Sequence, residues 1–182
     1  MSENKEYDFE ETVVTLTDED GTTYLGSGSY CVPFKGTYSI SALWGPNGYL
    51  NHTNRIGTHY HTGVDFACPS GTTLIACTNG ELSVISNSLT VGYGKSLKIM
   101  ADDGNMIIYG HMSGFNKTSG RVNKGDIIGY SGNTGNSFGA HLHFEVRKGP
   151  GYTSNYYGTG DDIDPLPLIG AGDKGRDQYV SG

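Results

Sequence analysis

Four of the six histidines and one aspartate stand in three short segments, His61-Thr62-Gly63-Val64-Asp65, Tyr109-Gly110-His111 and His141-Leu142-His143. Imidazole and carboxylate are the groups from which a catalytic zinc site is built, with three protein ligands and a fourth position kept for water. His61 and Asp65 lie an even number of residues apart, so an extended segment would turn both the same way. One histidine of the His141/His143 pair would complete a His/Asp/His set. The remaining histidines could then serve the metal-activated water and the charge developing on a scissile carbonyl. Zinc brings the pKa of its water to about 7, and an imidazole near ~6.5 suits proton transfer there. A second HxH, His59-Tyr60-His61, competes and would put His59 at the metal. Each segment also has an ordinary reading. Histidines are often surface or satisfied core residues, and a lone aspartate is most often a turn or cap.

These side chains need stiff elements to carry them. The 29 glycines and the short apolar runs between Gly, Asn, Asp and Ser argue for strands and tight turns, not helices. The expected architecture is mainly β: a single-domain antiparallel sheet with an active-site groove formed by loops. His141 to Arg147 alternates strictly, so a strand there sends Leu142, Phe144 and Val146 into the core. His141, His143, Glu145 and Arg147 then share the other face. Asp102-Asp103-Gly104 separates Ser96–Met100 from Met106–Tyr109 as a hairpin would. Leu82–Ile85 and Ile127–Tyr130 read as further strands. Residues 1–27 are expected to form a polar arm or peripheral strand, 28–170 the domain, and 171–182 a tail. The Leu166-Pro167-Leu168-Ile169 run would dock the domain's end onto the core.

Composition removes several function classes. A net charge of -7 argues against nucleic acid and against adhesion to an anionic surface by bulk charge. Recognition must come from a shaped site or another module. No apolar run approaches the ~20 residues of a membrane-spanning helix. The polar, acidic start does not resemble a secretory signal. The three cysteines cannot all pair; Cys68 and Cys77 could face each other, but buried free thiols are the expectation. Without a CxxC, a thiolate zinc cluster is disfavoured. Gly129 to Gly139 lacks the Lys-Ser/Thr of a phosphate loop, and its glycines would let a substrate backbone approach.

The segments occur in an order that resembles one family. His61-Thr62-Gly63-Val64-Asp65 is similar to the HxxxD motif of lysostaphin/LytM-type zinc metallopeptidases, and His141-Leu142-His143 to their HxH. Between them, Pro69–Ala76 with Asn79-Gly80, Gly92-Tyr93-Gly94, Tyr109–Met112, and Val122–Gly129 with Gly132–Gly135 follow the same series. The resemblance spans roughly Trp44 to Arg147. It implies His61, Asp65 and His143 as ligands of one Zn2+ per chain, and His111 and His141 as catalytic histidines. It implies hydrolysis of peptidoglycan peptides, in stem or cross-bridge, at an extracellular cell wall. The lack of a secretory signal favours a phage tail-associated or endolysin module, with a tail assembly as partner; a secreted bacterial autolysin or bacteriocin without its leader is the competing setting. The alternative is a non-catalytic LytM-like structural or regulatory protein, because the family includes members that have lost ligands. All five positions are filled here. His52 and Asn54, in the polar Gly48–Thr58 segment, are expected substrate contacts on a groove wall. Tyr109, taken to share a strand face with His111, is a third.

Overall fold

The computed structural model describes residues 29–36, 38, 40–45, 60–149 and 161–170, with the backbone of 15–17 and 23–25. Among these residues there are strands and turns but no helix. In chain order the strands are β1 (Thr15–Thr17), β2 (Thr23–Leu25), β3 (Ile40–Ala42), β4 (Val64–Phe66), β5 (Thr73–Ile75) and β6 (Gly80–Asn87). There follow β7 (Lys95–Ala101), β8 (Asn105–Phe115), β9 (Ser119–Val122), β10 (Ile127–Ser131), β11 (Leu142–Lys148) and β12 (Asp162–Ile163). Among the described residues, β1 and β2 pair with each other and not with the larger sheet.

The other strands form one antiparallel sheet in the order β3-β4-β11-β8-β7-β6-β9, with β10 joined to β5 and β8, and β12 joined to β11. The Asp102–Gly104 hairpin forms as the sequence predicts, with Met100 opposite Met106. β8 is the hub. Its first half pairs with β11 and β7, and its second half, beyond Gly110, with β10. Pairing with β7 steps two residues, Lys95 to Leu97, while β8 steps three, Met112 to Tyr109. A bulge of this kind adds one residue to a strand and re-aims the side chains around it.

The core lies under one face of this sheet. Phe34, Phe66, Leu74, Leu97, Ile99, Leu142, Phe144 and Val146 are fully enclosed, each side chain worth about 1.5–3 kcal/mol of burial. Leu166 and Ile169 join the same cluster, and Tyr30 N–H bonds Leu168 O at 2.9 Å, so the chain's Leu-Pro-Leu-Ile segment does close the core. Cys31, Cys68 and Cys77 are buried free thiols, not a disulfide. Burial pushes the Cys31 and Cys68 thiols up to about 12.

Candidate metal centre

β11 carries the centre of the site. Leu142, Phe144 and Val146 enter the core as the alternation requires, and His143, Glu145 and Arg147 occupy the other face. That other face is not open to solvent. Glu145 and Arg147 are fully buried and ion-paired through Oε2 and Nε, which removes the objection to burying either charge. His143 sits between Asp65 on β4 and Gly110 on β8, its direct strand partners. Gly110 offers no side chain, and a Cβ there would lie 3.3 Å from His143 Cβ.

His61 reaches the same point by a bend. Four residues of strand would separate His61 from Asp65 by about 13 Å. The chain instead turns at Thr62 and Gly63 before β4 starts, and His61 Nε2 comes to 3.2 Å from Asp65 Oδ1. The even spacing expected to align them is therefore not what brings them together. Gly63 permits the turn, because a Cβ there would stand 2.4 Å from Phe144 O on β11. A two-way backbone bridge between His61 and Gly45 holds the segment's start.

Three atoms now form a compact triangle. His143 Nδ1 lies 2.9 Å from Asp65 Oδ1, and His61 Nε2 lies 3.2 Å from both. Ligand bonds of about 2.0–2.1 Å in a tetrahedron place neighbouring donors roughly 3.3 Å apart, so these residues fit zinc. The second nitrogen of each ring is anchored, His61 Nδ1 to Leu43 O at 2.8 Å and His143 Nε2 to Glu145 Oε1 at 2.9 Å. Anchors of that kind fix tautomer and ring orientation in metal sites. His141 is the outer member of its HxH, with Nε2 3.6 Å from Asp65 Oδ2 and Nδ1 2.7 Å from Gly139 O. His59 lies outside the described residues, as do His52, Asn54 and the rest of the expected groove wall from Gly48 to Thr58.

The electrostatics suit a cation. Burial disfavours the Asp65 carboxylate, yet His61 and His143 outweigh it and hold the group well below the usual carboxylate range. Burial likewise opposes charge on His143, but hydrogen bonds to Asp65 and Glu145 raise it to about 9. Glu145 is held down at about 2, burial being overcome by His143 and Arg147.

His111 and Tyr109 correct the sequence reading. Simple alternation puts them on one face. The bulge breaks it: His111 takes φ 58, the one non-glycine positive φ among the described residues, and donates its N–H to Tyr93 O at 2.6 Å. The ring turns toward the site, 4.7 Å between centroids from His141 and 6.0 Å from His143. Its Nδ1 bonds Thr134 O at 2.7 Å. Burial, then the neighbouring imidazoles His143 and His141, depress it to about 4. Tyr109 stays in the core instead, its hydroxyl donating to Ile75 O at 2.8 Å and accepting Cys77 N–H at 2.9 Å. It is wholly enclosed and cannot be a substrate contact. Gly129, Gly132 and Gly135 make their close approaches inside the protein, a Cβ on Gly135 meeting Gly94 N at 2.3 Å, whereas a Cβ on Gly139 would meet nothing within 4 Å.

Several residues around the ligands had no role in the sequence reading. Thr62, Tyr93 and His143 all bond Glu145 Oε1. Asp162 Oδ2 accepts from both Trp44 Nε1 at 2.8 Å and Tyr60 OH at 2.6 Å, tying the chain before His61 to β12. Alternation on β11 pointed to Glu145. Nothing local marked Asp162, which lies within a Gly/Tyr/Asp-rich stretch that runs to Asp164.

A buried His/Asp/His triangle with anchored rings, set on an antiparallel sheet beside two further histidines, is a donor set able to hold one catalytic metal ion. The sequence matches the peptidase family M23 over residues 59–165, and the chain belongs to that family. It is 35% identical over 130 residues to the DD-carboxypeptidase/endopeptidase Mpg of Neisseria meningitidis serogroup B, covering 71% of this chain and 29% of that protein. The chain thus spans under a third of that relative's length. Among solved structures, the catalytic domain of the antimicrobial peptidase lysostaphin from Staphylococcus simulans aligns with TM-score 0.58 and 29% identity, covering 72% of this chain and 92% of that one. A variant of the catalytic domain of the prophage-encoded M23 protein EnpA from Enterococcus faecalis aligns with TM-score 0.57 and 29% identity, over 74% and 94% of the two chains. One Zn2+ is the cofactor that the family and the donor set share.

Proposed function

We propose that this chain is a zinc endopeptidase that hydrolyses peptide bonds in bacterial peptidoglycan, in stem or cross-bridge, with His61, Asp65 and His143 as metal ligands. The observation that carries the reading is the triangle of donor atoms 2.9–3.2 Å apart, each ring anchored on its far nitrogen. When bound there, zinc supplies Lewis acidity and a water acidic enough to ionise near neutral pH.

The chain's own residues divide the remaining work. His111, depressed to about 4, is neutral at physiological pH. With Nδ1 committed to Thr134 O, its Nε2 is the atom free to accept a proton and pass it to the leaving amine. His141 has Nδ1–H held by Gly139 O, which aims Nε2 into the site; with the ring in its doubly protonated form, Nε2 donates to the oxygen of the scissile carbonyl as charge develops on it. Both rings are oriented by backbone carbonyls, which saves the entropy of arranging them at the moment of reaction.

The wall as substrate is supported by Mpg and lysostaphin, named as a carboxypeptidase/endopeptidase and as an antimicrobial peptidase. With a charge of -7 the chain must find that wall by a shaped groove, or by a further module. A phage setting, as an endolysin or tail-associated lytic module, is supported by the similarity to prophage-encoded EnpA. The place of action is the extracellular cell wall. The test is release of new amino termini from purified peptidoglycan of several bacteria, with and without chelator. Chelator-sensitive release supports the reading, and fragment masses name the bond. Zinc-loaded protein that releases none from any wall overturns it.

A further inference from the structure

Glu145 is a fully buried carboxylate outside the His61, Asp65 and His143 donor triangle, yet four donors converge on it. Oε1 accepts from His143 Nε2 at 2.9 Å, from Tyr93 OH at 2.8 Å and from Thr62 Oγ1. Oε2 accepts from Arg147 Nε. The donors come from different parts of the fold: Thr62 follows ligand His61, Tyr93 lies in the β6–β7 connection, and His143 and Arg147 share β11 with Glu145 itself. The Tyr93 ring also lies 5.5 Å from the His143 ring, flanking it.

We propose that Glu145 is the positioning residue of the metal centre: its fully subscribed carboxylate compels His143 to carry a proton on Nε2 and so to present Nδ1 to the metal. The proposal rests on the zinc reading of the site. A carboxylate is acceptor-only and can serve four donors at two oxygens. With Thr62, Tyr93 and Arg147 all obligate donors toward it, a His143 tautomer with a bare Nε2 would face an oxygen lone pair in a dry site. An unpaired buried polar group is expensive, and a buried anion facing a lone pair more so. The tautomer with Nε2–H is the one that fits, and it leaves Nδ1 unprotonated at the apex beside Asp65 Oδ1 and His61 Nε2. Through Thr62 the same carboxylate holds the bend that carries His61, so two of the three ligands depend on one group.

The substitution Glu145→Gln isolates this role because it keeps shape while replacing one acceptor with an NH2 donor. Oriented with its oxygen toward His143, the amide sets NH2 against Arg147 Nε–H. Flipped, it sets NH2 against the three donors at Oε1. Neither orientation satisfies the network. The double variant E145Q/R147M removes the first conflict and lets the amide oxygen keep all three donors.

The test is zinc affinity by chelator competition, together with long-range nitrogen–proton NMR of the His143 ring in the zinc-loaded protein. E145Q should lose about 10–100-fold in affinity, the usual cost of removing an outer-shell partner. E145Q/R147M should recover to within roughly threefold of the native protein, a rescue that a purely space-filling role would not produce. The native protein should show Nδ1 coordinated and Nε2 protonated, a result that needs no variant to fold. Folded E145Q that binds zinc as tightly as the native protein overturns the proposal, and so does coordination through Nε2 in the native protein. Failure of the double variant to recover affinity also counts against it. Native protein that binds no zinc overturns the reading of the site itself along with the proposal.

Discussion

His111 is the residue at which geometry and chemistry oppose each other most plainly, and replacing it with alanine or with glycine separates the two. At φ 58 a residue with a Cβ gives up about 1–2 kcal/mol relative to ordinary backbone. Both substitutions remove the ring and its bond to Thr134 O, a loss of about 1 kcal/mol. His111→Ala keeps the strain that the native residue already carries, so its cost is that of the lost ring and bond, about 1–3 kcal/mol. His111→Gly releases the strain and gives back about 0.5–1 kcal/mol in added chain entropy. It should therefore be more stable than the alanine variant by about 1 kcal/mol, or roughly 2–4 °C in Tm. Both should keep zinc, because no ligand is touched, and both should lose about 10²–10⁴-fold in turnover with the proton-transfer group gone. Urea unfolding of the zinc-loaded variants, metal content and release of amino termini measure the three quantities. Equal stability of the two variants would refute the strained bulge. Loss of zinc from either, with retention in His61→Ala, would refute the division into ligands and catalysts.

Three further outcomes follow from the site and core. His143→Ala, which removes one of three ligands, should abolish both zinc binding and hydrolysis, read by metal analysis and the wall assay. Protein stripped of metal should release about one proton per zinc bound at pH 7, because His143 stays protonated up to about pH 9 and must lose that proton to bind. The sign follows: zinc affinity rises with pH through neutrality, by about tenfold per unit, and levels off above about pH 9, as calorimetry in buffers of different ionisation heat would show. Tyr109→Phe leaves the Cys77 N–H and Ile75 O without their partner. It should lower stability by about 1–3 kcal/mol while turnover of the folded fraction stays native; a turnover defect without a stability loss would restore Tyr109 to the site.

Much of this was legible in the chain because local rules and tertiary structure agree. Leu142, Phe144 and Val146 alternate with His143, and the strand does what the alternation says. Asp102-Asp103-Gly104 specifies a turn by its own backbone chemistry. Where the reading failed, a long-range contact overrode the local period. Alternation from Tyr109 places His111 on the core face, and only the pairing of β8 with β7 shows the extra residue that turns it around. His61 and Asp65 meet through a bend that depends on Gly63 lying against Phe144 O, a contact across 81 residues of sequence. The polar face of β11 is buried because Arg147 neutralises Glu145 and Thr62 and Tyr93 donate to its carboxylate, which no single segment reveals. Charged residues at alternate positions read as solvent-facing until their partners are known.

X-ray absorption at the zinc edge of the purified protein counts the ligands that His61, Asp65 and His143 are assigned to supply. One zinc per chain, bound by two imidazoles at about 2.0 Å with the remaining positions filled by oxygen, is the predicted result. Three imidazoles, which would bring His59 or His141 into the first shell in place of Asp65, or the lack of stoichiometric zinc, would contradict the account.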